Sequence, residues 1–253
     1  PPTTPDDSSA ASDVYKRQIM ALPKLETPTY EMVVPSTKET VKFRPFLVKE
    51  QKMLMIAQES KDQNMMANTM VALIESCVDG MKDVHLLPTF DIEYMFVQLR
   101  LVSVGSEVEL EMLCQDDGVT KVPVKIQLED IKVVELPNHK KEIMITDKIG
   151  MTFKYPSMVD IVKYGKDGIS AVDTTFGVIQ DCLVNIFDEN EVYDEMNQQE
   201  LQEFIEQMTT DQFEKVQDFF DTMPKLRHTV EVENPKTGVV NTVHLEGMQS
   251  FLA

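Results

Sequence analysis

Hydrophobic positions recur along the chain with two periods, and each period predicts its own kind of secondary structure. In several segments apolar residues return every three or four positions, which is the spacing of one face of an α-helix. Met66, Met70, Ile74 and Cys77 share such a face, so Cys77 is expected in the core rather than as a reactive thiol. The helical segments are 47–60, 63–80, 88–105, 173–193, 197–208 and 209–223, and 157–165 is a short helix or turn.

Three of these helices carry further signals. The first is expected to point its charged residues, Glu50 among them, away from its apolar face. Asn197 with Glu200 has capping-box spacing, and Thr209 with Gln212 repeats it. In 173–193 the helical spacing runs on to Ile186, which predicts one helix followed by a solvated acidic connector.

Elsewhere apolar and polar residues alternate, which is typical of half-buried antiparallel strands. Alternating pairs flank turns at 35–38, 114–118 and 234–238, and a further pair lies within 141–158. Proline or asparagine opens a turn, and Gly118 or Gly238 supplies the positive φ that closes it. The two periods together predict an α+β fold, with helical segments and two or more antiparallel β-hairpins.

The same patterns suggest how the chain is divided. Residues 1–19 are rich in proline, serine and aspartate and share no periodicity with the rest, so we expect a non-native or disordered leader. Residues 20–165 are expected to form an N-terminal α+β domain of a hairpin, helices and antiparallel strands. A linker at 166–174 leads to 174–253, a C-terminal helical region ending in a β-hairpin.

Charge and composition limit the classes of partner that the protein is expected to bind. The chain has 43 acidic and 24 basic residues, a net charge of −19, which repels phosphate backbones and anionic lipids and excludes nucleic acid as an expected partner. No apolar run reaches the roughly eighteen residues of a membrane span, so membrane insertion is not expected. Seventeen methionines weakly favour adaptable contact surfaces, and three widely spaced cysteines indicate a reducing compartment.

Two hairpin turns have the outline of zinc knuckles. A zinc site needs about four thiolate, imidazole or carboxylate ligands. The first turn offers Cys114 and Asp117, whereas Asn234 and Thr237 hold the equivalent positions of the second turn. His228 and His244 flank the second turn but lie in alternating strands. We therefore predict no metal and no cofactor.

Signatures of catalysis are missing as well. None of the histidines His85, His139, His228 and His244 lies in a recognisable catalytic motif, and no Gly-x-Ser-x-Gly elbow occurs. The nine glycines form no phosphate-binding loop. We predict no catalytic residues and a protein that is not an enzyme.

Four phrases of the sequence carry a family resemblance. They are "KLETPTYEMVVPSTKETVKFRPFLVKEQKMLMIAQES", "DIEYMFVQLRLVSVG", "EFIEQMTTDQFEKVQDFFDTMPKLRHTVEVENPKTG" and "LEGMQSFLA". Together they resemble the baseplate hub proteins of T-even-like contractile-tailed bacteriophages, in their marine or cyanophage form. Some members of that family carry cysteine pairs at the two turns, and this chain lacks most of those ligands.

The resemblance implies a non-enzymatic hub protein, made late in infection, that contacts other baseplate hub proteins. It would be found in the host cytoplasm during assembly and, as a structural subunit, in the tail baseplate of the virion. One alternative is a transient hub assembly chaperone that is absent from the virion. A remote alternative is a hub-associated cell-wall hydrolase.

Overall fold

The computed structural model describes residues 25–165 and 168–247. The predicted leader, 1–19, lies outside the described residues, as does the end of the predicted C-terminal region. The α-helices are α1 Val48–Ser60, α2 Gln63–Cys77, α3 Thr89–Ser103, α4 Met158–Tyr164, α5 Ala171–Cys182, α6 Gln198–Glu206 and α7 Thr210–Thr222. The strands are β1 Tyr30–Val33, β2 Thr40–Phe43, β3 Glu107–Leu113, β4 Lys121–Gln127, β5 Lys132–Val134, β6 Glu142–Met144, β7 Gly150–Phe153, β8 Leu183–Phe187, β9 Val192–Tyr193, β10 Lys225–Glu233 and β11 Val240–Glu246.

The strands form four separate antiparallel sheets. Strands β1 and β2 make one hairpin, and β3 and β4 make a second. The third sheet has the order β11-β10-β5, and the fourth has the order β6-β7-β8-β9. The predicted α+β fold with antiparallel hairpins is confirmed.

A first hydrophobic cluster joins the β1–β2 hairpin to helices α2 and α3. The hairpin contributes Met32 and Phe43, and the two helices contribute Ile74 and Leu99, all buried. Cys77 belongs to the same cluster and is buried, which confirms its predicted place in the core.

A second cluster combines parts of the chain that are far apart in sequence. Strands β3 and β4 contribute Val108 and Ile126, and the C-terminal hairpin contributes Leu226 and Leu245. Val97 of α3 packs against them. Helix α3 therefore buries residues in two clusters at once.

The third cluster lies between the four-stranded sheet and helices α5, α6 and α7. Phe153 and Ile186 of the sheet meet Ile179, Val216 and Phe219 of the helices. Because the rings of Phe153 and Phe219 stack with centroids 5.1 Å apart, they fix the distance between α7 and the sheet.

Helices α6 and α7 begin at the predicted capping boxes. The Asn197 side chain accepts a hydrogen bond from Glu200 N at 3.0 Å, and Asn197 N donates to the Glu200 carboxylate at 3.0 Å. Thr209 and Gln212 make the same reciprocal pair at 3.4 and 2.9 Å. Each box satisfies backbone N–H groups that a helix start leaves without partners.

The predicted helix through Ile186 is wrong. Helix α5 ends at Cys182, and the chain continues directly as β8. Ile186 pairs with Met151 of β7, so strand pairing overrides a spacing that also fits a helix. Helix α5 begins at Ala171, inside the predicted linker, because the Ser170 side chain caps it by accepting from Asp173 N.

A sheet joins the two regions that the sequence divides. Leu226 of β10 pairs with Val133 of β5, and the two strands come from opposite sides of the predicted linker. The division into residues 20–165 and 174–253 stays a prediction. The shared sheet means that the C-terminal hairpin packs against the N-terminal region.

Candidate functional site at the hairpin turns

Three hairpins are closed by turns of the same design. In the C-terminal hairpin Asn234 N donates to Val239 O at 2.9 Å, and Gly238 N donates to Asn234 O at 2.8 Å. The corresponding bonds start from Val34 in the first hairpin and from Cys114 in the second, where the turn is one residue longer. The opening residue is fully buried in all three. The fifth turn residue has positive φ: 61° at Lys38, 64° at Gly118 and 71° at Gly238.

The second and third of these turns meet at Asp116. Asn234 Nδ2 donates to both carboxylate oxygens of Asp116, at 3.0 and 3.1 Å. Thr237 Oγ1 donates a further short hydrogen bond to Asp116 Oδ2. The bonds from Thr237 and Asn234 lower the pKa of the Asp116 carboxyl, because they favour its charged form.

Asn241 of β11 completes the junction. Its Oδ1 accepts from the backbone N–H groups of Gln115 and Asp116, at 2.9 and 3.0 Å. Its Nδ2 donates to Asp116 Oδ1 at 3.1 Å. We call Asp116, Asn234, Thr237 and Asn241 the turn-pair cluster. It joins the two hairpins by hydrogen bonds that span about half of the chain.

The candidate zinc positions lie at this junction, but the polar side chains there make hydrogen bonds within the protein. Asn234 and Thr237 donate to Asp116, and Asp117 accepts from Val119 N and Thr120 N within its own turn, at 3.0 and 2.9 Å. Cys114 is buried, and burial raises the pKa of its thiol, which disfavours the thiolate that a metal needs. Among residues 25–165 and 168–247 no group of three or more histidine, cysteine or acidic side chains could hold a metal. The absence of metal stays a prediction.

Sequence reasoning singled out the positions around the junction and missed its centre. Asp116 stands beside the candidate ligand position, and Asn241 lies on a strand where alternation gives no hint of a polar contact. The sequence signal that could have revealed the junction is the composition of the turns. One turn carries a carboxylate, and the other carries an amide and a hydroxyl that can donate to it.

The first hairpin turn is held by an aspartate too. Asp91, in the first turn of α3, accepts from Ser36 N at 2.9 Å and from Ser36 Oγ. Burial raises the pKa of Asp91, and the bonds from Ser36 oppose that rise. Two turns are therefore held in the same way. In each, an aspartate from another part of the chain accepts hydrogen bonds from donors in the turn.

A buried ion pair fixes the start of α1, where the sequence predicted an outward-facing Glu50. That prediction is wrong, because the Glu50 side chain is only 2% exposed. It accepts from Arg44 Nη2 at 2.9 Å, from Ser76 Oγ at 2.9 Å and from Leu47 N at 2.8 Å. These partners compensate the desolvation of the carboxylate and fasten α1 to the end of α2.

Two of the histidines, His139 and His244, make contacts within the fold. His139 Nδ1 lies 3.0 Å from Thr222 Oγ1, and its Nε2 lies 3.1 Å from the Tyr155 hydroxyl. Its ring packs on Tyr155 and Phe219 with centroids 5.6 and 5.1 Å away. His244, on β11, contacts Thr229 Oγ1 at 3.1 Å across the strand pair.

Apolar side chains remain on the surface of the described chain. Helix α1 leaves Val48 82% exposed and Met55 55% exposed on the side away from its buried Ala57. A groove of about 600 Å³ lies between α1, α2, the start of α3, α4 and the end of β11, and one of about 670 Å³ lies beside β9. Such surfaces are typical of proteins that contact other proteins. None of the described helices combines the length and apolar character needed to cross a membrane.

Comparison with known proteins supports the part of the resemblance that concerns T4-like phage baseplate proteins. The profile of a family described as T4 bacteriophage base plate protein matches residues 27–253. No curated protein and no solved structure gives a significant match. The match covers nearly the whole chain, including all the turns described above. The chain therefore belongs to the family of T4 bacteriophage base plate proteins.

Proposed function

We propose that this chain is a non-enzymatic protein of the baseplate hub in a contractile phage tail and that it acts through protein–protein contacts. The observation that carries the proposal is the family match over residues 27–253. The exposed apolar residues of α1 and the two surface grooves support it, because they offer contact area. The polar groups of the turn-pair cluster bond to one another, which suits a structural role better than a chemical one.

The proposed partners are other baseplate hub proteins. The chain would meet them in the host cytoplasm during assembly and remain with them in the virion baseplate. A net charge of −19 argues against the tail's nucleic acid and against lipid surfaces as direct partners. Association with such partners is then driven by apolar contacts and by basic groups on the partner.

A second candidate function is that of a transient hub assembly chaperone. It is favoured by exposed methionines, whose flexible thioethers adapt to different apolar surfaces. Met53, Met55, Met65 and Met144 are all exposed in the described chain. A chaperone would use these side chains to cover a hub subunit and would leave before the tail is complete.

Mass spectrometry of purified virions, with copy number referenced to a tail protein, separates the two candidates. A constant copy number in virions is expected for a structural hub protein. Presence in infected-cell lysate together with absence from virions would favour the chaperone. In parallel, release of soluble fragments from peptidoglycan by the pure protein would contradict both candidates and indicate a hydrolase.

A further inference from the structure

A surface groove lies beside β9, the edge strand of the four-stranded sheet. Its volume is about 670 Å³, and strand β9, the end of β8 and helix α6 line it. The apolar side chains of its floor are Ile149, Ile186, Phe187, Met196 and Phe204. We call it the β9 groove. A floor of this kind accepts apolar side chains from an incoming chain.

Strand β9 gives the groove an open edge. It is the outermost strand of its sheet and is only two residues long. Val192 is 58% exposed and Tyr193 is 43% exposed. An edge strand presents backbone N–H and C=O groups on its outer side, so an extended segment can add to the sheet there while its alternate side chains enter the groove.

The rim of the groove is acidic. Asp188, Glu191, Asp194, Glu195 and Glu200 line it, and its described lining contains no lysine or arginine. Asp188 and Glu200 already accept hydrogen bonds from nearby backbone N–H groups, whereas Glu191, Asp194 and Glu195 are exposed. The pKa of the Tyr193 hydroxyl is raised, most by the nearby carboxylate of Asp188 and then by burial and by Glu191. A negative potential raises the pKa of a phenol because it disfavours the phenolate.

Two lysines of the described chain, Lys148 and Lys215, have partners outside the lining of the groove. Lys148, on the β6–β7 turn, pairs at 3.8 Å with Glu189, which does not line the groove. Lys215 is directed to the carbonyl groups of Met144 and Ile145, at 3.2 and 3.0 Å. The other groove differs, because Lys61 stands among its acidic lining residues.

We propose that the β9 groove binds an extended segment of a partner protein in which lysine or arginine residues flank apolar side chains. The segment adds to the edge of β9, its apolar side chains enter the groove, and its cations face Glu191, Asp194 and Glu195. The inference rests on the proposed function only in taking another baseplate protein as the source of that segment.

A direct test measures fluorescence anisotropy of a labelled synthetic peptide of alternating lysine and valine with the full chain. We expect saturable binding that weakens by at least about tenfold between about 0.1 and 0.5 M NaCl. A lysine–serine peptide keeps the charge but lacks apolar anchors, and a glutamate–valine peptide reverses the charge. Both are expected to bind at least about tenfold more weakly than lysine–valine. Equal binding of the lysine–serine peptide would overturn the proposal.

The site is identified by reversing its charge. The triple variant Glu191→Lys, Asp194→Lys and Glu195→Lys is expected to weaken lysine–valine binding by at least about tenfold. A retained circular dichroism spectrum would show that it folds.

A matched variant changes the net charge equally but away from the groove, through Glu31→Lys, Glu39→Lys and Glu231→Lys at exposed positions. It should bind nearly as tightly as the unaltered chain. If both triple variants lose affinity equally, attraction is general and the β9 groove is not the site. Peptide binding is independent of the virion measurement, so failure of this inference leaves the proposed function standing, and the reverse also holds.

Discussion

Asp116 and Asn234 lie 118 positions apart, yet the amide of Asn234 donates to both oxygens of the Asp116 carboxylate, at 3.0 and 3.1 Å. Asn234 is fully buried at the opening of its turn. This pair of side chains joins two hairpins whose turns have the outline of zinc knuckles.

Replacing the amide tests the strength of that junction. Asn234→Ala removes the donor to Asp116 and the oxygen that accepts from Lys236 N at 2.9 Å. We expect the free energy of unfolding to fall by about 1–3 kcal/mol, the cost of leaving partners of a buried polar group unsatisfied. Urea denaturation measures it. Thr242→Ala, at an exposed position of β11, is the control and should change stability by less than about 0.5 kcal/mol.

Treatment with a chelator tests whether the same junction depends on a bound metal ion. Treatment with EDTA is expected to leave the far-ultraviolet circular dichroism spectrum and the urea midpoint unchanged, because hydrogen bonds hold the turns. Elemental analysis should find less than stoichiometric zinc. Loss of structure on chelation, reversed by zinc, would refute the hydrogen-bonded description of the turns.

Glu50 predicts a loss of stability in acid. Burial alone would raise the pKa of its carboxyl, but hydrogen bonds from Arg44, Ser76 and Leu47 N outweigh burial and lower it from 4.5 to about 2. A lowered pKa in the folded state contributes stability that is present above the unfolded value and is lost as pH falls towards 2. We expect a loss on the order of 2 kcal/mol over this window.

Comparison with Glu50→Gln isolates this contribution. The variant cannot titrate at that position, so its stability should fall less steeply between about pH 5 and pH 2 in urea denaturation. Equal slopes for the two proteins would show that Glu50 is not responsible. Glu59→Gln, on the exposed side of α1, is the matched control and should keep the original slope.

His139 predicts a second acid-sensitive step, at higher pH. Burial lowers its pKa below the usual 6.5, with the charge of Lys141 acting in the same direction and that of Glu135 opposing it. The fold therefore favours the neutral ring, and the stability it contributes is full above the unfolded pKa and is lost as pH falls through the folded pKa.

Thermal melts between about pH 7.5 and pH 5 should show this step as a falling midpoint. His139→Gln keeps a polar side chain but removes the titration, so its midpoint should depend less on pH in that window. His85→Gln, at an exposed position, should behave like the unaltered protein. A steeper dependence in His139→Gln than in the unaltered chain would contradict the assignment.

Local signals in the sequence were enough for most elements. Met70 and Ile74 mark α2 by spacing alone, Asn197 and Thr209 mark helix starts by capping, and Gly238 marks a turn by its positive φ. Each of these depends on neighbours within a few residues. Fold class could be predicted because it is largely a sum of such elements.

Partners that lie outside each residue's own helix or strand account for what the sequence did not reveal. Glu50 can be buried because Arg44 and Ser76 donate hydrogen bonds to its carboxylate. Ile186 is in a strand because β7 pairs with it. Asp116 becomes important only when the C-terminal turn lies against it. No local periodicity encodes the approach of segments that are more than a hundred residues apart.

The composition of the second hydrophobic cluster has a consequence for how the protein is made. Val108 and Ile126 leave the ribosome long before Leu226 and Leu245, yet these residues share one core. Val97 of α3 covers part of the apolar face of the β3–β4 hairpin, but the part that meets Leu226 and Leu245 stays uncovered through the synthesis of the next hundred or so residues. Domains of growing chains usually fold in order from the N-terminus. This core is complete only when β10 and β11 have been translated, so the folding of the middle of the chain depends on strands that are synthesised about a hundred residues later.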